Sequence, residues 1–283
     1  MTIPHRLAGP AIVAAAFAVN AFCNHTEPGN ALRQLPGVYP VVFFVGIGAV
    51  LPALALGRAV RREPAAARPL GVAPGRRDAL AVLAALALGG LLAAKPLAPI
   101  LALPGGTAHV ATLFVQLLVA SIAEVALFLG AVGLAVHAWL GGHSGAPRGG
   151  GSGGRSGWRS GLLTVAASSL LFGLFHLTYP APWNTPGTAA TVGLVWIAAA
   201  TLFAVTRSLM AAVLLDNILA TVGFATRDLA LPLSPEASGL FAAMAIAAFA
   251  AAFAWARQGN GPQRSDREEP PTPRRKKAAP LAP

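Results

Sequence analysis

Charge is scarce in this 283-residue chain, with Asp, Glu, Lys and Arg making up only 11% of it. A soluble domain carries about 25%, so an ordinary water-soluble globule is excluded. Hydrophobic residues reach 55% and the mean hydropathy is +0.63, values that belong to a polytopic membrane protein. Cysteine occurs once, as Cys23, which excludes an intrachain disulfide and any cysteine-based metal site. The plain role for such a residue is a small buried hydrophobe. No His-Glu-x-x-His helix occurs, and the glycine-rich stretch at 141–157 lacks the Gly-Lys-Ser/Thr ending of a phosphate-binding loop. There is no internal repeat. The net charge of +11 would suggest nucleic acid in a soluble protein, but these bases lie in loops and in the tail. Membrane orientation explains them, and no nucleic-acid partner is expected.

What the chain has instead is apolar runs. A bilayer-spanning helix needs about 20 apolar residues, and eight such runs fall near 8–23, 36–56, 79–99, 110–139, 160–179, 187–206, 208–226 and 237–256. The expected fold class is therefore all-α, a polytopic bundle of about eight transmembrane helices forming one domain over 1–256. Val19-Asn20-Ala21 weakly resembles a signal cleavage site, but an uncleaved anchor is expected at the head of a multi-span protein. With the N-terminus inside, 18 of the 21 Lys and Arg are cytoplasmic, and only Arg33, Lys95 and Arg227 fall outside. Trp139, Trp158 and Trp255 then sit at inner boundaries, while Tyr39, Tyr179 and Trp183 sit at outer ones. Trp196 falls inside a span, as core. Both termini are expected in the cytoplasm. The richness in Ala, Gly, Pro and Arg suits a bacterial inner (plasma) membrane. Residues 141–157 read as a flexible cytoplasmic loop, and 257–283 as a disordered basic tail whose Arg274-Arg275-Lys276-Lys277 cluster suits an anionic lipid surface.

Against that background three polar residues stand out, each within a different apolar run. They are Glu124, His176 and Asp216. An ionised carboxylate at a helix centre costs about 2.5–3.5 kcal/mol even on the mild insertion scale. A shared site accounts for three such residues better than three separate accidents. Helical spacing puts Ser121, Glu124 and Phe128 on one face, Ser169, Phe172 and His176 on another, and Ser208, Ala212, Asp216 and Ala220 in a stripe of small residues. Asn217 is turned about 100° from Asp216. By depth, Glu124 and Asp216 fall near the midplane and His176 nearer the outer face, which would open a common site outward. His137, at the inner end of the fourth run, reads as a helix C-terminal dipole partner, and Lys95 as a side chain that snorkels outward.

The stretch Ser168-Ser169-Leu170-Leu171-Phe172-Gly173-Leu174-Phe175-His176-Leu177 resembles the Phe-x-x-x-His motif of the CAAX-protease and bacteriocin-processing (CPBP) family of intramembrane proteases. Ala123-Glu124-Val125-Ala126-Leu127-Phe128-Leu129-Gly130 resembles that family's Glu-Glu-x-x-x-Arg segment. Ser208 to Asn217 resembles its third motif, His followed four residues later by Asn. The resemblance covers 112–224. It departs at Val125 for the second Glu, Leu129 for the Arg, Asp216 for the His and Ala220 for the Asn. It implies a CAAX-protease-like helical bundle that hydrolyses peptide bonds in a membrane protein or lipidated peptide, with Glu124 as base, His176 as its partner and Asp216 as orienting group. Phe172, Asn217 and Ser121 would support them. No cofactor is expected. A divalent metal such as zinc is conceivable on one imidazole and two carboxylates, but that is a poor zinc set and a metal-free mechanism is preferred. The alternative is a non-catalytic CPBP-like membrane partner or immunity-type protein, to which the lost motif residues point. A transporter is less attractive, since no inverted repeat with broken helices is present.

Overall fold

The computed structural model describes residues 5–68, 70–72, 76–141, 153–227, 229 and 233–258. Among these, all regular structure is helical. We number the helices α1 (His5–His25), α2 (Glu27–Gln34), α3 (Pro40–Arg62), α4 (Arg76–Leu101), α5 (Gly106–Leu140), α6 (Gly153–His176), α7 (Pro186–Thr206), α8 (Leu209–Ala225) and α9 (Pro235–Gln258). Seven of them are long and apolar enough to cross a membrane; α2 is a short connector and α8, with 17 residues, is the short apolar helix. The chain is thus an all-α polytopic membrane protein, with its eight apolar helices at the eight expected places.

Three boundaries differ from expectation. The stretch expected as a loop over 141–157 is helical from Gly153 onward, because α6 extends beyond its apolar core, and residues 142–152 lie outside the described residues. The expected tail starts later, since Arg257 and Gln258 complete α9; residues 259–283, including the basic cluster, lie outside the described residues. Helix α6 stops at His176, so Tyr179 belongs to the following turn rather than to the span.

Local chemistry explains several ends. Thr185 caps α7 by accepting the Thr188 N–H at 3.1 Å, with Pro186 at the first helical position. Ser208 caps α8 by accepting the Ala211 N–H at 3.3 Å. Two helices widen into π-turns, α3 over Pro40–Val50 and α5 over Ala126–Ala131, the second directly after Glu124.

Helix α6 packs most closely on α7, α8 lies between α4 and α5, and α9 covers α3 and α5. Close approach depends on glycine at the two contacts nearest the polar residues. A Cβ at Gly173 would meet the Ala189 carbonyl oxygen at 2.8 Å, and one at Gly48 would meet the Ala123 Cβ at 2.4 Å, one residue before Glu124. The core between α1, α3, α5, α6 and α7 is aromatic. Phe17, Phe43, Phe128, Phe172, Phe175 and Trp196 meet there in edge-on and stacked pairs.

Candidate functional site

One cavity of about 290 Å³ collects all three singled-out residues: Glu124 from α5, His176 from the end of α6 and Asp216 from α8. This volume lies at the low end for small-molecule sites, about 300–1,000 Å³. Ser121 and Phe172 also line it, as does Ala220. Helix α8 is short, with seven residues before Asp216 and nine after it, and the bundle brings Asp216 to the same cavity as the last residue of α6.

Each side chain is held differently. The Tyr179 hydroxyl donates to Glu124 Oε1 at 3.2 Å. His176 Nδ1 lies 2.9 Å from the Phe172 carbonyl oxygen; a carbonyl can only accept, so Nδ1 carries the proton and Nε2 is left as the reactive nitrogen. Phe172 therefore supports His176 twice, through this carbonyl and through its ring, which lies edge-on at 4.7 Å. Phe172 is itself stacked on Trp196 at 3.8 Å, and the Trp196 indole N–H donates to Ser168 Oγ at 3.4 Å. Asp216 was expected to orient His176. Among the described residues, however, His176 forms no ion pair with either acid, and the backbone does the orienting.

Asp216 interacts through its carboxylate with Ser121, whose hydroxyl also reaches Asn217 Oδ1 at 3.3 Å. Its Oδ2 is buried and has no hydrogen-bond partner. Glu124 and Asp216 line the same cavity. Asn217 is fully buried behind this wall and does not line the cavity; its amide donates to the Phe114 carbonyl at 2.9 Å and ties α8 to α5. Phe128 does not line the cavity with Ser121 and Glu124; its ring, at the π-turn over Ala126–Ala131, is buried in the aromatic core.

Sequence reasoning missed several contributors. Tyr179 and Trp183 looked like interfacial aromatics, and Trp196 like core packing, yet all three line the cavity. The available signal was scarcity: the chain has two tyrosines, and both hold inward hydrogen bonds. Asn20, read only as part of a weak cleavage signature, is fully buried. Its amide donates to Thr178 Oγ1 at 2.8 Å, and its Oδ1 accepts from Tyr39 and Asn24. Asn24 in turn donates to the Thr178 carbonyl at 3.1 Å and accepts from Arg33 Nη1 at 2.7 Å. This network pins the segment between His176 and Tyr179 to α1. His137, expected only as a dipole partner, also approaches Glu63 at 3.8 Å, an exposed pair of little energetic weight.

At its mouth the cavity meets the turn regions after α6 and α8. Trp183 stacks on Phe224 at 5.1 Å, and the Arg227 guanidinium lies 5.4 Å from the Trp183 ring. Among the described residues, no group of three His, Cys, Asp or Glu is arranged to hold a metal ion. Comparisons with family models, with curated proteins and with solved structures returned no match.

Proposed function

We propose that this chain is an intramembrane peptide hydrolase resembling the CPBP proteases, acting on a membrane protein or lipidated peptide. The observation that carries this reading is the meeting of Glu124, His176 and Asp216 from three helices in one cavity. In the proposed reaction Glu124 takes a proton from water, and the water oxygen bonds to the scissile carbonyl carbon. His176 acts as partner of Glu124 through Nε2, held in register by the Phe172 carbonyl. The Tyr179 hydroxyl, already in the cavity, is the donor nearest to hand for the developing oxyanion. Collapse of the tetrahedral intermediate breaks the carbon–nitrogen bond, and the proton held by Glu124 passes to the leaving amine. With the N-terminus inside, the cavity mouth faces away from the cytoplasm of a bacterial inner membrane and both termini lie within it; the distribution of Lys and Arg supports this.

The test uses the purified full chain in lipid nanodiscs with a library of membrane-inserted peptides. Wild-type protein is expected to produce new termini, and Glu124→Gln and His176→Ala to lose that cleavage by more than about 100-fold, the scale of a lost general base, with melting temperatures close to wild type. Cleavage at the wild-type rate in either variant would end the assignment. A second reading, a non-catalytic relative acting as a membrane partner, is favoured by Val125, Leu129 and Ala220 standing where the family has Glu, Arg and Asn. It predicts that Glu124→Gln keeps full biological function.

A further inference from the structure

The buried carboxylate of Asp216 presents an unsolved charge problem. The residue is 7% exposed, lines the cavity, and leaves Oδ2 without a hydrogen-bond partner. Its neighbour across the cavity is a second acid, Glu124. Two carboxylates at close range in an apolar setting cannot both ionise cheaply unless a cation joins them. The one arginine that lines the cavity among the described residues, Arg227, is engaged with the Trp183 ring at the mouth and forms no ion pair with either acid.

The walls tell what kind of cation fits. Phe172, Trp196 and Val195 give the cavity an apolar and aromatic lining, suited to a hydrocarbon stem and to cation–π attraction. Its flank is open between the outer halves of α7 and α8. Thr191 and Val195 are lining residues exposed on the lateral surface of α7, and Gly223 of α8 has no atom within 4 Å of where a Cβ would stand. A group arriving through this opening comes from the bilayer, not from bulk water. A basic side chain inside a bilayer is costly unless it finds an anion, which gives it a driving force toward Asp216.

We propose that the cavity selects membrane-inserted peptides carrying a basic side chain, an ammonium or guanidinium on an apolar stem, which enters between α7 and α8 and pairs with the Asp216 carboxylate. This inference rests on the peptidase reading and deepens it by naming the substrate class. It also gives binding a chemical consequence. A cation on Asp216 lowers the cost of a charged Glu124 in the same cavity, so the substrate helps create the ionised base that deprotonates the attacking water. Asp216 thus acts as a specificity residue.

Binding can be measured without cleavage. The probes are two apolar helical peptides of about 20 residues, identical except for a single lysine or a norleucine in the segment expected at cavity depth. Affinity for the full chain is measured in phosphatidylglycerol nanodiscs. The lysine peptide is expected to bind about tenfold tighter or more, the scale of one charge-assisted hydrogen bond. That ratio should fall to about one in Asp216→Asn and persist in Asp216→Glu. A ratio near one in wild type overturns the proposal whether or not any variant folds, and so does a ratio that survives in Asp216→Asn. Loss of the ratio when phosphatidylethanolamine replaces phosphatidylglycerol would assign the site to a lipid headgroup and likewise overturn it. The two readings separate cleanly: Glu124-dependent cleavage with no lysine preference removes only this inference, whereas a lysine preference with no cleavage of any peptide removes only the hydrolase.

Discussion

Tyr179 and Tyr39 carry the same hydroxyl into the same bundle, yet they serve different ends. Tyr179 donates to Glu124 and lines the cavity, whereas Tyr39 donates to Asn20 and stacks on Phe43. A hydrogen bond to a charged group is worth about 1.5–3 kcal/mol, and about 1.4 kcal/mol is tenfold in rate. Tyr179→Phe is therefore expected to lower kcat roughly 10–100-fold with a small change in KM. Tyr39→Phe removes a donor from the network that holds Thr178, so it should lower the melting temperature while kcat of the folded protein holds. Steady-state kinetics and thermal unfolding of both variants, side by side, check the distinction. Equal losses of kcat would mean that Tyr179 has no special part in the chemistry.

At the level of elements, the site depends on how closely α6 can approach α7. Gly173 makes the contact, and any larger residue there pushes against the Ala189 carbonyl. Overpacking of this kind costs about 1–3 kcal/mol. Gly173→Leu is thus expected to lower the melting temperature and to reduce cleavage, because the Phe172–Trp196 stack that seats His176 spans this same interface. Gly90 of α4, where a Cβ meets nothing within 4 Å, is the control. Gly90→Ala should leave thermal stability level or raise it, as alanine is the better helix former. The same interface explains what the sequence could tell. The spans were legible because a bilayer demands about 20 apolar residues whatever the sequence otherwise does. Glu124, His176 and Asp216 were legible because ionisable groups are rare in such spans. Phe128 sits in a π-turn and packs into the aromatic core, which a face assignment at a 3.6-residue period does not reveal. Tyr179 and Trp183 were misread because they follow α6, where no periodicity says which way a turn folds back. The meeting of His176 with Asp216 in one cavity depends on how the helices pack, which spacing alone does not contain.

Over the whole molecule, the remaining question is which side of the membrane the cavity addresses. Its mouth is formed by Trp183, Thr226 and Arg227, from the turns at one end of the bundle. The opposite end carries Arg58, Arg61, Arg62, Arg68, Arg76, Arg77, Arg159 and Arg207. If that basic end lies in the cytoplasm, as the positive-inside rule expects, the mouth turns outward. Under the proposed function, an outward mouth would limit the substrates to proteins already inserted or exported, and would let a basic side chain reach Asp216 from the outer leaflet. Cysteine labelling tests this directly, because the native Cys23 is buried and its replacement by alanine removes the only competing thiol. In that background Asn184→Cys, exposed between α6 and α7, is expected to react with a membrane-impermeant maleimide on intact cells. Arg68→Cys, exposed at the opposite end, is expected to react only after permeabilisation. The reverse pattern would turn the mouth toward the cytoplasm, where the substrates would be newly made or lipidated proteins instead of exported ones. Labelling of both positions from outside would mean that the helices between them do not cross the membrane as a bundle, and the cavity would then lose the apolar surroundings on which its charge pairing depends.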